Sequence, residues 1–171
     1  KCLDDVCSKM KKAIILIDNK FQDAEVIYPY YRLQEAGLKV DLVGAEAGEE
    51  YEGKYDYPLI SDKAAKKVKV SEYSVVIIPG GFAPDFMRRN PAMVKIVKEA
   101  YQKKKVIGAI CHGAWMLAEA NIIRGKKVTC FSAIKTDIIN AGGKYVDQEV
   151  VVDGNLVTSR KPDDLPAFMK E

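Results

Sequence analysis

The sequence predicts an α/β three-layer sandwich around a mostly parallel sheet. Two observations carry the prediction: short β-branched apolar runs alternate with longer helical patterns, and those runs are apolar on both faces, as strands covered by helices on either side must be. At roughly 150 residues per domain, the 171-residue chain is a single domain. We place that domain at residues 10–171 and read residues 1–9 as a lead-in outside the fold.

Lys12 to Ile17 reads as a strand and is followed by the polar Asp18-Asn19-Lys20. Apolar positions at Val26, Ile27, Tyr30 and Leu33 then have helical spacing, and Gly37 stands where a helix ends. Leu38 to Val43 supplies a second strand, and Gly48 to Tyr57 a β excursion off the main sheet. Ser74 to Ile78 is a core strand that must stop at the breaker cluster Pro79-Gly80-Gly81. Asn90 and Pro91 open a helix running to about Lys103, as N-cap and first helical residue do. Lys105 to Ile110 is a strand, and Cys111-His112-Gly113 leads straight into the helical pattern Ala114 to Ala120. Lys127 to Phe131 is expected as a strand with Cys130 in its core, and Lys135 to Asn140 as a helix closed by Gly142-Gly143. Glu149 to Ser159 reads as a hairpin turning on Asp153-Gly154, with a last helix from about Asp163.

Composition excludes several classes. Lys and Arg number 27 against 24 Asp and Glu, too even a balance for a phosphate-binding stripe, so nucleic acid is not an expected partner. The apolar run Ala13 to Ile17 is too short for a membrane span or a signal-peptide core, and the expectation is a soluble cytoplasmic protein. Four cysteines at 2, 7, 111 and 130 form no C-x-x-C pair and have no histidine at metal-site spacing, so neither a metal nor a cofactor is expected. A reducing cytosol keeps them as thiols. His112 is the single histidine of the chain and sits next to Cys111.

In parallel sheets ligands bind beyond the carboxyl ends of the strands, and two of those ends are unusual: Pro79-Gly80-Gly81 and Ile110-Cys111-His112-Gly113. A strand that becomes a helix at Cys111 holds the thiol on a sharp, strained elbow. Unpaired N–H groups there favour thiolate, so a pKa well below the free-thiol value of roughly 8.5 is expected. The backbones of His112 and Gly81 are the candidate oxyanion donors. On residues alone Cys111 is either this nucleophile or a buried strand cysteine. Glu25 either reaches the cleft floor or is a helix-surface charge, and the pattern favours the surface. Asp85 either orients His112 or caps a short turn after Pro84, and the two readings are equally economical.

Together these residues carry a resemblance. Ala109-Ile110-Cys111-His112-Gly113, the loop Pro79 to Asp85, the segment Phe21 to Glu25 with Ile27-Tyr28-Pro29, and the tail Val150 to Asn155 through Thr158-Ser159-Arg160 resemble the PfpI-type intracellular cysteine peptidases of the DJ-one superfamily. The resemblance covers nearly everything from Met10 onward. It implies a flavodoxin-like, class I glutamine amidotransferase-like fold, with Cys111 as nucleophile, His112 as base, and Glu25 as the acid contacting the thiol. It also implies a homo-oligomer, dimer or hexamer, in which Asp85 reaches the histidine of an adjacent subunit.

Three functions fit one activated thiol. The first is a peptidase or amidase working through an acyl-thioester on Cys111. The second is a glyoxalase or deglycase acting on methylglyoxal or its adducts, without glutathione or metal, with Glu25 moving protons. The third is a redox-sensing or chaperone stress protein. Glutamine amidotransferase chemistry is excluded, because its triad takes a histidine from far downstream and no second one exists.

Overall fold

The computed structural model describes residues 10–171, and the expectation for residues 1–9, with Cys2 and Cys7, lies outside the described residues. Strand β1, Lys12–Leu16, is wholly buried after its lysine and lies in the interior of the sheet, with a strand on either side. Helix α1, Asp23–Glu35, is capped by Gln22, whose side chain accepts the Glu25 N–H at 3.2 Å. Strand β2, Lys39–Gly44, then pairs parallel with β1. The expected excursion is a hairpin of its own, β3 (Glu50–Glu52) against β4 (Pro58–Ile60). The two-residue β5, Lys63–Ala64, adds to the outer edge of β2.

The chain then crosses to the other side of β1 with β6, Val75–Ile78. A short helix α2, Ala83–Met87, precedes α3, Pro91–Gln102. Asn90 caps α3 by accepting from Ala92 N–H at 3.0 Å. Its buried stripe of Met93, Ile96, Val97 and Ala100 has the spacing of one helix face, and each large member contributes about 1.5–3 kcal/mol on burial. Strand β7, Val106–Ile110, pairs parallel with β6. A single 3-10 turn, Cys111–Gly113, intervenes before α4, Ala114–Glu119. Then come β8 (Lys127–Val128), α5 (Lys135–Asn140), β9 (Lys144–Tyr145), β10 (Val151–Asp153), β11 (Leu156–Ser159) and α6 (Leu165–Lys170).

The main sheet has the order β10-β11-β7-β6-β1-β2-β5, parallel except for β10 against β11. Right-handed crossovers leaving β1 for β2 and β6 for β7 run in opposite directions, so α1 and α3 cover opposite faces. Helix α6 joins α1 on one face, and α4 joins α3 on the other, which completes the three layers. The strand order reverses between β1 and β6, and at such a switch point the loops diverge and leave a crevice. Three loops meet there: Phe82 N–H donates to Lys20 O at 2.8 Å, Gln22 N–H to Gly80 O at 3.2 Å, and Lys54 N–H to Phe21 O at 2.7 Å.

Two expectations are corrected. The strand expected at Lys127 to Phe131 stops at Val128 and pairs with β9 in a separate small sheet. Beyond it Thr129 N–H bonds the Thr158 hydroxyl at 2.9 Å and Phe131 N–H bonds Cys111 O at 3.3 Å, which draws the chain out of a ladder while leaving Cys130 fully buried. Asp85 caps nothing: the left-handed Gly81 (φ +74°) turns the chain earlier, so α2 is already open at Ala83 and Asp85 is its third residue.

One buried charge is held in the sheet. The Asp41 carboxylate of β2 accepts the Tyr73 hydroxyl at 2.6 Å and lies 3.5 and 3.6 Å from the Lys12 and Lys63 ammonium groups. Burial raises its pKa, but the hydroxyl and the two lysines outweigh burial and leave it below the ordinary value.

Candidate active site

Cys111 follows an extended Ile110 and itself adopts φ +61°, a conformation that costs a non-glycine residue roughly 1–2 kcal/mol. The chain turns here from strand directly into the 3-10 turn Cys111–Gly113. The N–H groups of His112 and Gly81 both bond the sulfur, and His112 Nδ1 lies 3.3 Å from Sγ. The His112 ring is fixed between Phe131, stacked at 5.1 Å, and the edge of Trp115 at 5.3 Å. Burial, with the charge of Lys54 second, lowers its pKa, so at neutral pH the imidazole is uncharged and available as a base.

Glu25 is not on the surface. Its side chain is fully buried at the start of α1, and Oε1 accepts the Gly80 N–H at 2.8 Å, across 55 residues of sequence. Oε2 is buried and has no partner among the described residues. Gly80 must be glycine: a Cβ there would stand 2.8 Å from Glu25 Oε1, 2.9 Å from Cys111 Cβ and 3.0 Å from His112 N, so the carboxyl and the thiol flank the same bare backbone. Burial pushes Glu25 up to about 8, against the opposing Gly80 N–H and Lys54. At neutral pH it is therefore mostly a neutral acid, with a proton to share.

The low thiol pKa expected at Cys111 is corrected. Burial pushes the thiol up to about 12, with the Glu25 charge second, and the two backbone N–H groups and Lys54 only partly offset them. Only 7% of the residue is exposed. Two negative charges so close are not held together, and the proton that resides on Glu25 removes the main charge opposing a thiolate. A neutral Glu25 lifts only the second of these causes, and burial, the largest, still holds the thiol above its ordinary value.

The thiol opens into a cleft of about 320 Å³ walled by His112, Phe131, Phe82, Tyr55 and Lys54. Cys111, His112, Glu25 and the backbone of Gly81 are brought together. Asp85 is not joined to them within the chain: it is exposed on α2 and pairs with Arg89 at 3.7 Å. Lys54, Phe131 and Trp115 were not legible as site residues, since they arrive from the β3–β4 hairpin, the loop after β8 and α4. Among the described residues, no group of three or more His, Cys, Asp or Glu is placed to hold a metal ion. No helix among them is long and apolar enough to cross a membrane.

The chain is 43% identical over 160 residues to a deglycase of Pyrococcus horikoshii, covering 94% of this chain and 96% of that protein. It is 41% identical to the putative cysteine protease YraA of Bacillus subtilis, covering 94% and 95%. A crystal structure of a two-domain protein from Anabaena variabilis, with DJ-1/ThiJ/PfpI-like and ferritin-like domains, superposes with a TM-score of 0.92 at 44% identity. That match covers 94% of this chain and 46% of the two-domain protein, so the chain spans about half of its length. The family's sequence model matches residues 11–171, from the residue before β1 to the end of the described chain, and the chain belongs to the DJ-1/PfpI family.

Proposed function

We propose that the chain is a thiol-dependent deglycase acting on adducts of 2-oxoaldehydes with amines. The observation that carries this reading is the buried Glu25 carboxyl beside Cys111, one oxygen bonded to Gly80 and the other unpartnered. Hydrolysis of an amide needs a nucleophile, a base and an oxyanion hole; isomerising a carbonyl adduct needs in addition an acid that gives and retakes a proton at the reacting carbons. The sulfur displaces the amine from the carbinol carbon, the S–C bond forming as the C–N bond breaks, and the thiol proton leaves with the amine. Glu25 then protonates the neighbouring carbonyl oxygen, a proton passes from the first carbon to the second through an enediol, and the hydroxyl proton of the first carbon returns to Glu25. The product is a thioester, which water attacks with neutral His112 as base, releasing a 2-hydroxy acid and the thiol. Relatives named as deglycases and as a putative cysteine protease are compatible with this chemistry.

A cysteine peptidase or amidase is the second reading. It is favoured by Asp85, which stands exposed on α2 beside the exposed Phe82 and Phe86, where a second copy of the chain can meet it. The test supplies N-acetylarginine pre-reacted with methylglyoxal and, separately, a chromogenic peptide amide. Lactate and free amine released by wild type and by Asp85→Ala, but by neither Cys111→Ala nor Glu25→Gln, support the deglycase. Peptide cleavage that needs Asp85, with no lactate, overturns it.

A further inference from the structure

The cleft has a cation at its mouth that neither reading above uses. Lys54 forms no ion pair among the described residues. Its ammonium lies 5.4 Å from the centre of the Phe82 ring and 5.8 Å from that of Tyr55, and both rings wall the cleft. Its charge is felt by Cys111, Glu25 and His112 alike. The fold commits a buried carboxylate to hold the segment that carries it. Asp23, 9% exposed, accepts the Tyr55 N–H at 3.0 Å on Oδ1 and the Tyr57 N–H at 3.2 Å on Oδ2. It also fills the space a Cβ at Gly53 would need, 2.5 Å from its carboxyl atoms. With Lys54 N–H bonded to Phe21 O at 2.7 Å, the residue is pinned on both sides. An exposed, unpaired ammonium against the aromatic wall of a cleft that holds a nucleophile, carried on a backbone pinned at both sides, is a counter-charge awaiting a ligand.

We infer that Lys54 is a specificity-determining residue that selects carbonyl substrates bearing a carboxylate or other anionic group next to the carbon that Cys111 attacks. Asp23 is its positioning residue. The inference deepens the deglycase reading by naming a substrate class, and it rests on that reading for turnover but not for binding. With an anionic aldehyde such as glyoxylate the thiol adds across the C=O bond. The S–C bond forms, the thiol proton ends on the former carbonyl oxygen, and nothing is oxidised or reduced. The hemithioacetal is reversible and its carboxylate lies toward the ammonium.

The test measures protection of Cys111 from iodoacetamide in the intact chain, by glyoxylate and by the neutral acetaldehyde. Protection is expressed as a concentration ratio, so that a change in intrinsic thiol reactivity cancels. The ratio of acetaldehyde to glyoxylate protecting concentration is expected to be on the order of tenfold higher in wild type than in Lys54→Met, the factor that about 1.4 kcal/mol of pairing yields. Lys54→Arg should keep the wild-type ratio. An equal preference in wild type and Lys54→Met overturns the inference. Failure of wild type to make lactate, with the glyoxylate preference intact and Lys54-dependent, overturns the deglycase reading and leaves this one standing.

Discussion

Glu25 and Cys111 reach the same side of Gly80 from opposite ends of the chain's first half and its middle, and the glycine's missing Cβ is what lets them meet. The carboxyl is fully buried and the thiol nearly so, and burial holds a proton on each at neutral pH. Reactivity at this site therefore turns on how easily the thiol gives up its proton beside a neutral acid.

Stability should carry the signature of Glu25. Its folded pKa of about 8 stands above the ordinary 4.5, so between those values the folded chain binds more protons than the unfolded one, and stability falls as pH rises through the window. Glu25→Gln keeps an acceptor for Gly80 N–H and removes the titration. Urea unfolding of both proteins at pH 5 and pH 8 should show the variant gaining on wild type with rising pH. A constant difference would mean that the carboxyl is not buried as described.

Gly80→Ala places a methyl against Glu25 Oε1, Cys111 Cβ and the His112 N–H. Overpacking of this kind costs roughly 1–3 kcal/mol, and the displaced carboxyl and elbow should lose nearly all Cys111-dependent activity. Thermal unfolding and lactate release measured together check both effects.

Alkylation distinguishes the two described thiols. Burial pushes both Cys111 and Cys130 up to about 12, but Cys111 opens on the cleft while Cys130 is fully buried. Iodoacetamide followed by peptide mapping should label Cys111 first in the folded protein. Equal labelling would count against the site.

Asp41→Asn removes the charge that gathers Tyr73, Lys12 and Lys63. A loss of about 1–3 kcal/mol at pH 7 is expected, since buried partners lose an acceptor of full charge. The folded pKa is depressed, so wild type holds this advantage above the ordinary carboxyl value of 3.8 and loses it as pH falls below. Denaturation of the two proteins at pH 7 and pH 3 should show the gap closing.

The sheet, its switch point and the Cys111 elbow were legible because strand end and turn are contiguous: Ile110, Cys111 and Gly113 announce themselves in five residues. Glu25 was read with its surface alternative ahead, since one acid on a helix gives no sign of which face it takes until Gly80, 55 residues on, is folded against it. The thiol pKa differs from the sequence expectation for the same reason: the effect of a helix end is local, whereas burial and the Glu25 charge are tertiary. Lys127 to Phe131 looked like a strand by β-branched content, but Phe131 is spent on the His112 ring. Lys54 carried no pattern at all and is placed by Asp23 across a sequence gap that periodicity does not read.

The most direct measurement is isotope-edited infrared difference spectroscopy of wild type against Glu25→Gln, following the carboxylic acid carbonyl stretch from pH 5 to 10. A protonated-acid band assigned to Glu25, present at pH 7 and lost with a midpoint near 8, is the expected result. A carboxylate band already complete at pH 6 would contradict it, and with it the role of Glu25 as the acid beside Cys111.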